Sequence, residues 1–166
     1  MFRYLTIVAA AMALALLQET VLAPMSPGLG DAPLALVVAL VLTFRFGEAA
    51  AAAAAAAAIR ESLTSAPGGL AFAITAVTVV VLIILYTRVF TDLSVAGFLA
   101  LTVASFLCWH GFRAGAGLLR DSLLGIHGPA VSLGSRVLGL SLGLSTQIFF
   151  GILALGFVRR RGSAPR

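Results

Sequence analysis

Apolar runs follow one another along this chain, each closed by a proline, a glycine cluster or an arginine. The first covers residues 4–22 and stops at Pro24 and the Ser26-Pro27-Gly28 cluster, so it predicts a helix with a sharp end. A short loop carrying Asp31 leads to a second helix over residues 33–44, with Pro33 suited to its first turn. Arg45-Phe46-Gly47-Glu48 interrupts the run, and a third helix follows over residues 48–63 with alanine at every position from 49 to 58. Alanine is the strongest intrinsic helix former but is barely hydrophobic. The turn Ser65-Ala66-Pro67-Gly68-Gly69 opens a fourth helix over residues 70–89. That segment is rich in β-branched residues, yet an unbroken run of such length in so apolar a chain reads as a membrane span. A fifth helix covers residues 93–112, and a sixth residues 137–158. Between them, residues 114–135 are less apolar. There Leu118, Leu119, Leu123 and Ile126 share one helical face, with Arg120 and His127 opposite, which predicts a short helix lying in the interface.

The pattern predicts an all-α integral membrane protein of about six transmembrane helices. Helices two and three are shorter than the roughly 30 Å hydrocarbon core at about 1.5 Å per residue, so they are expected to be short, re-entrant or shielded by the others. Composition strengthens the membrane reading. Of 166 residues, 61% are hydrophobic and 10% charged, against roughly 25% charged in soluble domains. The run after Arg3 is too long for a signal peptide and is expected to stay as a first membrane helix. Residues 1–158 then form a single membrane domain, and residues 159–166 a basic, disordered cytoplasmic tail.

The formal charge is +5, with 11 basic residues that are all arginine. These punctuate apolar segments as loop anchors do, instead of lining one polar element, so nucleic acid is not an expected partner. With six spans and the N-terminus inside, Arg3, Arg45, Arg88 and four tail arginines face the cytoplasm, while Arg60, Arg113, Arg120 and Arg136 face out. Both termini are therefore expected in the cytoplasm.

Few residues offer chemistry. Gln18 and Glu19 lie near the end of the first helix, where a carboxylate either reaches interfacial water or joins an internal contact. The amide of Gln18 needs partners that lipid cannot supply, so it is expected to face another helix or a partner protein. His110 and Arg113 close the fifth helix beside Trp109, and His110 is open to a relay, ligand or merely interfacial role. Cys108 and His110 are two apart and point to different faces, so neither a metal site nor a cofactor is expected. Asp31, Asp92 and Asp121 all fall in predicted loops, and no nucleophile, phosphate-loop or zinc pattern is present, so no catalytic residue is expected. Gly139 and Gly143 have the spacing of a close helix-packing face.

In order, these features resemble the rod shape-determining MreD family: a first helix ending "LALLQETVLAPMSPG" (residues 14–28), a short helix, a small-residue helix, the turn "APGGLAFAI" (residues 66–74), and "RVFTDLSVAGFLALTVASFLCWHG" (residues 88–111). Family members commonly carry an acidic residue after the small-residue helix; here the position reads Arg60-Glu61. The resemblance implies a scaffold of the cell-wall elongation complex in the bacterial cytoplasmic membrane. It would associate with an MreC-like protein and through it with MreB, RodA and a transpeptidase. It also implies a bundle similar to the substrate-binding S-components of energy-coupling-factor vitamin transporters, and such a subunit is the alternative function. That alternative needs a polar pocket, for which Gln18, Glu19, His110 and Gln147 are the candidates.

Overall fold

The structure is a computed structural model that describes residues 2–22, 30–63, 69–89, 94–124 and 133–162, without the side chains of 117, 120–124, 133–138 and 159–162. Every described element is helical. We number them α1 (Phe2–Leu17, continued by a π-helical turn, Gln18–Leu22), α2 (Ala32–Leu42), α3 (Phe46–Leu63), α4 (Leu70–Arg88), α5 (Val95–Leu124) and α6 (Leu133–Gly162). Among the described residues, four segments are long and apolar enough to cross a bilayer: Phe2–Leu22, Leu70–Arg88, Val95–Ala116 and Gly139–Val158. They are compatible with a multi-pass membrane protein.

The other two helices form the centre. Every residue of α2 is buried, so it is both short and shielded. Its rise is about 16 Å, half of what a crossing needs. The α3 helix packs between α1 and α4 and also touches α2. Its buried positions Ala49, Ala52, Ala53, Ala56 and Ala57 form one face, and α1 answers with Ile7, Ala11 and Ala15. Lipid is as apolar as a protein core, so such helices associate by close packing and polar contacts, and methyl side chains let the backbones approach. The alanine tract therefore works as a packing surface.

The helices alternate in direction, giving the bundle two ends. At one, Arg3 pairs with Glu48 at 3.0 Å and Arg45 lies 3.6 Å from the same carboxylate. There Phe44 closes α2 with φ at 57°, a left-handed residue at a helix end. Its ring packs edge-on against Tyr86, with centroids 5.1 Å apart. The Tyr86 hydroxyl donates to the Leu42 carbonyl at 3.2 Å. Leu42 meets Ser94 and Leu155 around one cavity, so the start of α5 and the later part of α6 also come to this end. At the other end α1, α3 and α5 approach their C-termini. There Glu61 accepts from the backbone N–H groups of Gly69 and Ala71 and steadies the start of α4.

Several expectations need correction. The chain does not break after Phe112 into a separate interfacial helix: α5 continues to Leu124, and Asp121 lies in that helix, not in a loop. The last helix runs on through Gly162, into the segment expected to be a disordered tail. Asp31 does lie outside the helices, as the cap of α2, but inside the bundle instead of facing out, and Arg60 lies in α3 and is not a loop anchor: both are buried, at 4% exposure. Asp92 and His127 lie outside the described residues.

Candidate functional site: a polar cluster around the start of α2

The N-terminus of α2 lies inside the bundle. A helix start leaves several backbone N–H groups without intrahelical partners, and burying them unpaired is costly. Here each position from Gly30 to Leu34 is accounted for. Gly30 donates to Thr146 Oγ1 at 2.5 Å, and Asp31 N–H to Gln147 Oε1. Ala32 N–H donates to Gln18 Oε1 at 3.3 Å. Pro33 has no donor, and Leu34 N–H is capped by Asp31 Oδ1 at 2.8 Å. The helical ladder then begins, with Ala35 N–H donating to the Asp31 carbonyl at 3.0 Å. Four side chains from α1, α6 and the cap itself thus serve one helix start.

The same carboxylate ties in α3. Arg60 Nη2 donates to Asp31 Oδ2, and Arg60 Nε to Glu19 Oε1 at 3.1 Å. The guanidinium carbon lies 4.4 Å from the centroid of the Trp109 ring on α5. One arginine therefore joins α1, α2, α3 and α5. It reaches this place because Arg60 follows Ala53, Ala56 and Ala57 on the buried face of α3. Gln18 and Glu19 arrive in the same way. They sit three and four residues beyond Ala15, continuing the face of Ile7, Ala11 and Ala15, and the π-helical turn widens the helix where both turn inward.

Close approach is required at one glycine. A Cβ on Gly30 would collide with the backbone of Gln147 and with the Gly143 carbonyl. Gly143 is buried at this contact, whereas a Cβ at Gly139 would meet nothing within 4 Å. Of the two glycines, Gly143 lies at this close contact, and Gly139 has open space beside it among the described residues.

The remaining sequence candidates lie around this cluster. His110 is half-buried with its ring on Phe106, centroids 4.3 Å apart. Asp31, Arg113 and Arg60 are the charges that act on it. Arg113 is exposed and lines a cavity of about 80 Å³ with Glu19, Arg60, Leu70, Ala71, Ile74 and Trp109. Four buried polar atoms have no hydrogen-bond partner among the described residues: Glu48 Oε2 at the opposite end of the bundle, and Gln147 Nε2, His110 Nε2 and Thr75 Oγ1 here. Among those residues no three of His, Cys, Asp and Glu gather as a metal-binding group.

The candidate spans set where the cluster would lie in a bilayer. Trp109 lies about 10 Å of helix inside the end of the Val95–Ala116 segment, and Gln147 about 12 Å inside the start of Gly139–Val158. Non-helical backbone at such depth is tolerated where protein covers it, and the side chains around Gly30 and Asp31 provide that cover. Sequence reasoning found Gln18 and Glu19 from the cost of polar groups in an apolar run. It named Gln147 only as a pocket candidate, and it missed the pairing of Asp31 with Arg60. Compared with protein-family models, curated proteins and solved structures, the chain matches none.

Proposed function

We propose that this protein is a non-enzymatic membrane scaffold of the kind the MreD resemblance implies, working by protein contacts within the bacterial cell-wall elongation complex. In this reading all six helices cross or enter the cytoplasmic membrane, in a bundle similar to a transporter S-component, and both termini face the cytoplasm. The partner is an MreC-like protein, linked onward to MreB, RodA and a transpeptidase.

One observation carries the preference for a scaffold over a solute-binding subunit. In transporters, a half-helix that starts at membrane depth turns its N-terminus to the substrate. Here that N-terminus is filled by Gln18, Asp31, Thr146 and Gln147, and the polar cavity beside it holds only about 80 Å³. Small-molecule sites run to about 300–1,000 Å³. The larger space, about 450 Å³ between α1 and α6, has an apolar lining of Ala10, Ala13, Leu14, Ala32, Leu36, Phe150, Leu153, Ala154 and Phe157. It suits a hydrocarbon surface better than a vitamin.

The test is affinity purification of the full chain from native membranes. Co-elution of an MreC-like protein is the expected result. Co-elution of a transporter's ATPase subunits instead would overturn the scaffold. Topology is tested separately: with Cys108→Ser as background, a cysteine added after Arg166 should react with an impermeant reagent only in opened cells.

A further inference from the structure

The cavity at the polar end has a composition that the scaffold reading does not use. Its floor is the buried pair Arg60 and Trp109 together with Ile74. Its more accessible walls are Glu19, Arg113, Leu70 and Ala71. Glu19 and Arg113 carry opposite charges and share this one space, yet no ion pair joins Arg113 to any described carboxylate. Glu19 uses Oε1 for Arg60, which leaves Oε2 as an acceptor. Arg113 offers a fork of N–H donors. A bound cation alone would face Arg113, and a bound anion alone would face Glu19. A group carrying both charges a few bonds apart meets both.

We infer that the cavity between Glu19 and Arg113 binds a primary-ammonium phosphate zwitterion, the phosphoethanolamine group, with its ammonium on Glu19 and its phosphate on Arg113.

Three observations shape the choice. A single water needs only about 10–15 Å³ of such space, so about 80 Å³ admits a group of several heavy atoms but no second ring or sugar. Among the described residues Trp109 is the one aromatic residue that lines the cavity, and Arg60 lies over its ring at 4.4 Å, so the lining forms no aromatic cage for a quaternary ammonium. A primary ammonium instead donates hydrogen bonds to a carboxylate, and such charge-assisted bonds are the strong ones. The position also fits. Glu19 and Arg113 each lie about 5 Å of helix inside the ends of their spans, Phe2–Leu22 and Val95–Ala116. That is the level where a lipid headgroup meets the hydrocarbon, and the apolar walls Leu70 and Ala71 face the same opening. The site does not depend on which proteins the bundle assembles with, so its failure leaves the scaffold reading untouched.

The test is native mass spectrometry of the full-length protein titrated with phosphatidylethanolamine, phosphatidylcholine and phosphatidylglycerol of matched chains. Phosphatidylethanolamine should bind roughly tenfold more tightly than either competitor, the worth of one charge-assisted hydrogen bond. Glu19→Gln, which keeps an acceptor for Arg60, and Arg113→Ala at an exposed position should each remove that preference while the protein stays monodisperse. Soluble phosphoethanolamine separates the two sources of the group: displacement of the lipid at millimolar concentration assigns the site to the free compound, and failure to displace assigns it to the lipid. Equal binding of the three lipids, or an unchanged preference in both variants, overturns the proposal.

Discussion

Replacing Arg60 with Met tests the central claim that one guanidinium holds four helices together. Methionine retains an apolar stem of similar length and removes only the charged fork. What remains is Asp31 and Glu19, whose side chains are 6% and 15% exposed, without the guanidinium that bonded to both. Removing one partner of a buried ion pair costs about 3–5 kcal/mol, because the other charge is left uncompensated. Loss of the contact with Trp109 adds about 0.5–2 kcal/mol. Asp31→Asn is the informative companion. Its amide oxygen can still cap Leu34 N–H, and Arg60 keeps Glu19, but the amide nitrogen then faces the Arg60 donor in place of Oδ2, so the expected loss is about 1.5–3 kcal/mol, the worth of one hydrogen bond to a charged group. The double variant should fall short of the sum of the two by about 1–3 kcal/mol, since the second change removes a charge already stranded by the first. Unfolding in mixed micelles can be followed by the reactivity of Cys108, the one cysteine, which is half-buried one residue before Trp109. If Arg60→Met lies within about 1 kcal/mol of the parent, or the two losses simply add, the cluster does not act as a unit and the argument fails.

Further outcomes follow from the same contacts. Gly30→Ala should destabilise by about 1–3 kcal/mol through overpacking against Gln147, while Gly139→Ala, within α6 and with nothing near it, should stabilise by up to about 1 kcal/mol; parallel unfolding curves compare them. Gln147→Leu leaves Asp31 N–H buried without its acceptor and should cost about 1–3 kcal/mol, whereas an unaltered midpoint would mean that the amide is dispensable. Tyr86→Phe removes only the hydroxyl that reaches Leu42, and should cost about 0.5–1.5 kcal/mol in the same assay while leaving helical content intact.

The long helices were legible because their signals are local. Residues 4–22 and 70–89 are apolar runs bounded by proline and glycine, and α1 with its π turn and α4 follow them closely. Gln18 was legible for the same reason, as an amide that hydrocarbon cannot satisfy. Arg60 was not. It stands beside a break in hydrophobicity, the usual place of an interfacial arginine, and its partner Asp31 is 29 residues away. A face on α3 would have given it away, but ten alanines in a row look alike on every side, and only packing decides which of them are inside. The same blindness applies to α2, whose residues are apolar all round because they are buried all round. In α5, Gly111 and Gly115 argue for a break at about 1 kcal/mol each, yet both lie within a helix that continues to Leu124.

The placement of α2 also carries a consequence for assembly. Two of its N-terminal donors, Gly30 and Asp31, are served by Thr146 and Gln147, 116 residues later in the chain. Until α6 arrives, those donors face hydrocarbon or must stay at the membrane surface, and every unsatisfied group in lipid costs several kcal/mol. The helix is too short to wait as a stable crossing, and among the described residues it is other helices that cover it. Its insertion is therefore expected to be coupled to the docking of α6, with Gln18 of α1 serving Ala32 at the same helix start. The polar cluster is thus the latch that closes the bundle: Arg60 fastens α3 and α5 to the capped start of α2, and Gln18 and Gln147 fasten α1 and α6. A bundle closed in this way keeps its outer faces in fixed register, and that is the property a contact surface for other membrane proteins requires.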